Sequence, residues 1–62
     1  MKEYQRIKML NNNYSSEGIF KDAIGYILNI YDEYYCEVEF SDENGITYAL
    51  QAIRCKDFKV IE

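Results

Sequence analysis

The sequence predicts an all-β fold of five short strands, and three observations carry that expectation. Tyr34, Cys36, Val38 and Phe40 alternate with Tyr35, Glu37 and Glu39. This period of two puts apolar side chains on one strand face and acidic ones on the other. The run Ser41-Asp42-Glu43-Asn44-Gly45 follows it and ends in Asn-Gly, the strongest short signal for a β-hairpin. Residues 26–31 (Tyr-Ile-Leu-Asn-Ile-Tyr) are rich in β-branched and aromatic types, which fit a pleated surface better than a helix.

Taken in order, the first strand lies in Tyr4 to Leu10, where Gln5, Ile7 and Met9 alternate with Arg6, Lys8 and Leu10. Asn11 to Gly18 contains three Asn, two Ser and a Gly, residues that adopt turn conformations readily, so it reads as a surface loop. The next segment supports two readings. Ile19, Phe20, Ala23, Ile24, Ile27, Leu28 and Tyr31 also fit a helical stripe, with Ser15 or Ser16 as N-cap of a helix over Ser16 to Ile30. Gly25 in its middle would cost about 1 kcal/mol in a helix. A turn at Lys21-Asp22 and a strand from Ile24 to Tyr31 are therefore the reading adopted. Asp32-Glu33 makes a tight connection, Tyr34 to Phe40 the third strand, and Ile46 to Gln51 the returning fourth, with Leu50 facing the core beside Val38, Phe40, Ile27 and Ile7. Ala52 to Asp57 fits one helical or 3₁₀ turn, and Phe58 to Ile61 a short last strand. Five strands, a long first loop and a turn before the last strand form the plan of a small SH3-like (KOW-like) barrel, which hides most of its edges by bending.

The 62 residues predict a single domain over 1–62. A chain this short buries only about 60% of the surface its unfolded form exposes, so association with a partner or a second copy could add stability. Exposed strand edges and the seven tyrosines fit a homodimer. The two cysteines, Cys36 and Cys55, are not in CxxC spacing, and there is no His to complete a zinc set. Two reduced thiols, one or both in the core, are the reading adopted, with a single disulfide left open because connectivity needs geometry. The N-terminal run MKEYQRIKML lacks the apolar core of a signal peptide, and no apolar run approaches the ~20 residues of a membrane span. A cytoplasmic location without membrane contact is expected.

The run Gly18-Ile19-Phe20-Lys21-Asp22-Ala23-Ile24-Gly25-Tyr26-Ile27 resembles a segment Gly-Leu-x-x-Gly-x-Val-Gly-x-Val. Tyr35-Cys36-Glu37-Val38-Glu39-Phe40 resembles Tyr-x-Val-Glu-Phe, and Gly45-Ile46-Thr47-Tyr48-Ala49-Leu50 resembles Gly-x-Thr-Tyr-Ala-Leu. Asp57-Phe58 precedes the last strand. In this order and spacing, from about Ile7 to Ile61, the chain resembles a small bacterial family catalogued as domain of unknown function 4926. Asp22 stands where that family has its middle glycine, and Asp tolerates a left-handed backbone better than most residues. The resemblance implies an SH3-like barrel, related in shape to the KOW-type modules of transcription and translation factors. It implies accessory proteins, some of them immunity partners of toxins, and no catalytic activity.

No enzyme is expected from the residues either. Without His there is no His-based acid–base pair or triad, and no P-loop or GxGxxG is present. Ser15, Ser16 and Ser41 lie in turns without a candidate base. Glu37 and Glu39, ~7 Å apart along a strand, have a spacing that could suit paired carboxylates, but a five-strand domain offers no cleft to exclude water from them. Asp42-Glu43-Asn44 lacks the ligand spacing of a calcium loop. No metal or cofactor is expected.

Charge is the informative feature. The net charge is −4, and no Lys or Arg lies between Asp22 and Ile53, a stretch that carries Asp22, Asp32, Glu33, Glu37, Glu39, Asp42 and Glu43. Lys2, Arg6, Lys8, Lys21, Arg54, Lys56 and Lys59 all lie outside it. A surface of Tyr31, Asp32, Glu33, Tyr35, Glu37, Glu39, Asp42 and Glu43 would suit a basic protein partner such as a nuclease toxin domain. Charge raises the rate of association, and rigid aromatics supply contact energy. The plainer alternative is a solvated acidic face that aids solubility. Nucleic acid is disfavoured as a partner because phosphate contacts need clustered cations. An immunity or inhibitor protein is the first functional expectation. A structural or regulatory subunit of an enzyme or of a transcription or translation assembly is the second.

Overall fold

A computed structural model describes residues 1–61. Its strands are β1 (Arg6–Met9), β2 (Ile24–Ile30), β3 (Tyr35–Ser41), β4 (Thr47–Arg54) and β5 (Phe58–Val60). Short 3₁₀ turns at Ser15–Glu17 and Cys55–Asp57 complete the pattern. All pairings are antiparallel, and one sheet runs in the order β4-β3-β2-β1-β5. The fold is thus all-β, as the sequence predicts, and its strand order and late 3₁₀ turn are compatible with a small barrel-like sheet. The rival helix over residues 16–30 is not formed; β2 takes its place.

One face of the sheet is the core. Ile7 and Met9 of β1, Ile27 of β2, Cys36, Val38 and Phe40 of β3, Ile53 of β4, Phe58 of β5 and Ile19 from the first loop are buried together. The alternation of β3 is obeyed over Cys36, Val38 and Phe40, but Tyr34 is exposed in the turn before the strand rather than inside. Gly25 lies where β2 crosses the core under β3. A Cβ there would stand 2.7 Å from Val38 Cγ1 and 2.9 Å from both the Glu39 carbonyl and Phe40 Cδ1. Only glycine permits that approach, so the residue that argued against a helix also lets two strands close on the core.

The first turn behaves as its chemistry allows. Asp22 has φ +73°, the left-handed conformation that glycine adopts without strain and Asp tolerates. Its N–H donates to the Met9 carbonyl at 2.9 Å, and its carboxylate lies 3.8 Å from Lys8 Nζ. Gly45 has φ +80° at the hairpin turn, where the expected Asn-Gly signal falls. There the Asp42 carboxylate accepts the N–H groups of Asn44 and Ile46, both at 2.9 Å.

Leu50 departs from expectation: it is 55% exposed. Ser41 faces Thr47, but Phe40 faces Ala49, so Tyr48 is an extra residue in β4. Without that bulge Val38 would face Leu50; with it, Val38 faces Gln51 and Leu50 moves to the outer face opposite Glu39. A slip of one residue turns every following side chain over. It also places small Ala49 opposite the Phe40 ring and brings Ile53 into the core opposite Cys36. β4 runs on to Arg54, so the 3₁₀ turn begins only at Cys55.

Candidate functional site

The outer face of the sheet carries the candidate surface. Cross-strand partners share a face, and the register places Arg6, Tyr26, Glu39 and Leu50 in one row, with Asn29, Glu37 and Ala52 in the next. Tyr35 lies opposite Arg54 at the end of the same face. Tyr26 and Tyr35 are exposed, and Glu37 and Glu39 are half-buried between their neighbours. Glu39 accepts a hydrogen bond from the Thr47 hydroxyl at 2.8 Å. Partial desolvation, and then the adjacent Glu37 carboxylate, raise the Tyr31 phenol above its ordinary value.

The eight residues singled out from the sequence form a line along β3 rather than one patch. Tyr31, Asp32, Glu33 and Tyr35 stand at one end and Glu37 and Glu39 in the middle. Asp42 and Glu43 lie in the hairpin at the other end, about 20 Å away by strand rise. Two of them also have structural work. Asp32 Oδ1 accepts the N–H groups of Tyr34 and Tyr35, at 2.7 and 2.9 Å, and closes the turn between β2 and β3. Asp42 does the same for the next hairpin through its Oδ1. Nor is the charge as one-sided in space as along the chain. Arg6 and Lys8 of β1 share the outer face with Tyr26 and Ile24 of β2, across which the glutamates of β3 lie two strands away.

Near the Tyr35 end the surface sinks into an open depression of about 440 Å³, lined by Glu33, Tyr34, Tyr35, Arg54, Cys55 and Lys56. Its two cations come from a segment that looks, in sequence, like the basic tail of the chain. Only the antiparallel return of β4 sets Arg54 opposite Tyr35.

Asp57 was not among the residues that sequence patterning picked out for a role, yet it organises the most connected polar cluster. It is buried, with Oδ1 accepting from Asn11 Nδ2 at 3.0 Å and Asn13 Nδ2 at 3.4 Å. Its Oδ2 accepts from the Tyr14 hydroxyl at 3.0 Å and Arg54 Nε at 3.3 Å. The Tyr14 hydroxyl accepts the Arg54 N–H at 3.1 Å in turn. Burial alone would raise the Asp57 pKa. The hydrogen bonds from Asn11, Tyr14 and Arg54, with the Arg54 charge, outweigh it and hold the carboxyl below its ordinary value. The cluster pins the Asn11–Gly18 loop to the turn before β5. Its one sequence trace is the Asp57-Phe58 pair at the entry to the last strand.

Among the described residues no group of three or more His, Cys, Asp or Glu is placed to hold a metal. No helix among them is long and apolar enough to cross a membrane. The arrangement is that of a small antiparallel β domain with a tyrosine- and carboxylate-bearing outer face. Residues 3–60 match the family described as domain of unknown function (DUF4926), and the chain belongs to that family. No curated protein and no solved structure matches it.

Proposed function

We propose that the chain is a non-catalytic protein-binding module, in its most specific form an immunity or inhibitor protein that neutralises a basic bacterial toxin nuclease in the cytoplasm. The observation that carries this reading is the outward row of Glu37 and Glu39 on β3, flanked by Tyr26, Tyr31 and Tyr35. A nuclease that grips phosphate needs a basic surface. Carboxylates speed encounter with such a surface, and exposed tyrosines become the anchors once water is excluded. Stoichiometric masking requires no reacting group, no cofactor and no nucleic-acid contact on this side. The alternative is a structural or regulatory subunit, and the mixed-charge depression of Glu33, Arg54 and Lys56 favours it. A partner surface carrying both signs would fit there.

The test is retention of partners from the native cell on immobilised chain, comparing the parent with Glu37→Lys/Glu39→Lys and Tyr35→Ala. A basic nuclease retained by the parent and lost by the double variant supports the inhibitor reading. A partner that survives the double Lys variant but not Arg54→Glu/Lys56→Glu supports the subunit reading. Thermal melts of each variant establish that the domain is folded.

A further inference from the structure

Cys36 and Cys55, 19 residues apart in sequence, are both free thiols and lie with their Sγ atoms 3.7 Å apart. Cys36 sits on the core face of β3 opposite Ile53. The Cys55 N–H donates to the Tyr34 carbonyl at 2.8 Å, which makes the two cysteines diagonal neighbours on one face. Their surroundings differ. Cys36 is fully buried, its Sγ 3.5 Å from Met1 Sδ. Cys55 is half-buried and forms part of the wall of the open depression beside Arg54 and Lys56.

We propose that Cys36 and Cys55 are a modification site for small-molecule disulfides, in which Cys55 is the attacking thiol, Cys36 the resolving thiol, and an intramolecular cystine the product. In the first step Cys55 loses its proton and its sulfur bonds to one sulfur of the small disulfide. The S–S bond of the reagent breaks, and its other half leaves as a thiolate that takes up a proton. In the second step Cys36 loses its proton and attacks Cys55 Sγ, expelling the second half of the reagent as thiol. Two electrons pass from the protein to the reagent: one disulfide and two protein thiols become one cystine and two small thiols. The sulfurs must close from 3.7 Å to about 2.05 Å, a side-chain movement that leaves the strand pairing intact. Burial above all, and then the neighbouring Cys55 sulfur, push the Cys36 thiol up to about 11. The thiolate is the nucleophile, so the second step is the slower one near neutral pH and quickens as pH rises.

The experiment treats the folded full chain with oxidised glutathione and follows intact mass, peptide map and melting temperature. The expected product is a monomer lighter by two hydrogens, bridged Cys36–Cys55, melting higher than the reduced chain and restored by dithiothreitol. The bridge closes a loop around the β3–β4 hairpin and so restricts the unfolded chain. Cys36→Ala should accumulate glutathione on Cys55, and Cys55→Ala should remain unmodified while folded. The parent chain carries the test even if a variant fails to fold. A parent that stays unmodified, stops at a glutathione adduct, or bridges only between molecules overturns the proposal. So does a folded Cys55→Ala chain that is modified at Cys36 as fast as the parent reacts.

Discussion

At the scale of single residues, the molecule depends on a few positions where chemistry leaves little choice. Asp57 is one. Its folded pKa lies below its ordinary value. Its contribution is therefore fully present above the unfolded carboxylate range near 4 and lost as pH falls through the lower folded value. Urea denaturation at pH 7 and pH 3 should show stability falling toward acid, and Asp57→Asn should flatten part of that fall. At pH 7 the same substitution should cost about 1–3 kcal/mol, because buried donors lose a charged acceptor. Gly25 is another. The space for its missing Cβ is already taken by Val38, Phe40 and the Glu39 carbonyl. Gly25→Ala should lower stability by about 1–3 kcal/mol, as overpacking does, with a fall in melting temperature as the measurement.

At the scale of elements, the two faces of the β3–β4 hairpin can be told apart by substitution. Val38→Ala and Phe40→Ala open cavities in the core and should cost about 2–5 kcal/mol each. Leu50→Ala lies on the outer face and should stay within about 1 kcal/mol. Equal losses at Leu50 and Val38 in chemical denaturation would place Leu50 back inside and remove the Tyr48 bulge. The turn into β2 offers the opposite kind of test. Asp22 holds φ +73°, and Asp22→Gly removes a left-handed penalty of roughly 1–2 kcal/mol. It also gives up a distant surface ion pair with Lys8 worth about 1 kcal/mol at most. The melting temperature should hold or rise; a clear fall would mean that the Asp22 side chain, not its backbone, secures the turn.

At the scale of the whole molecule, size and charge set its behaviour. The radius of gyration is 10.3 Å and the extents are 28 × 21 × 17 Å, more than twice a screening length of about 8 Å at physiological salt, so outer-face charges act mainly on their near neighbours and on a docked partner. Partner association through Glu37 and Glu39 should therefore slow as salt rises. The glutamates stand two strands, about 10 Å, from Arg6 and Lys8, so the slope should be shallower than a net charge of −4 on one patch would give. Stopped-flow association at two ionic strengths measures this. In the Glu37→Lys/Glu39→Lys variant the salt dependence should vanish or reverse.

Local pattern determined much of this. The alternation of Cys36, Val38 and Phe40, the Asn44-Gly45 turn, the Asp22 turn and the acidic outer residues of β3 all follow from side-chain period and backbone preference within a few residues. Those are nearest-neighbour properties, and a linear reading captures them. Three features belong to the tertiary structure alone. The Tyr48 bulge, which turned Leu50 outward and Ile53 inward, is decided by what Phe40 must face across the sheet. The Asp57 cluster joins residues 43 to 46 positions apart. The depression beside Tyr35 borrows Arg54 and Lys56 from beyond the acidic stretch, and it sits beside the meeting of Cys36 with Cys55. Each depends on which strand returns beside which, a choice made by burying a common core and not by any residue's own propensity.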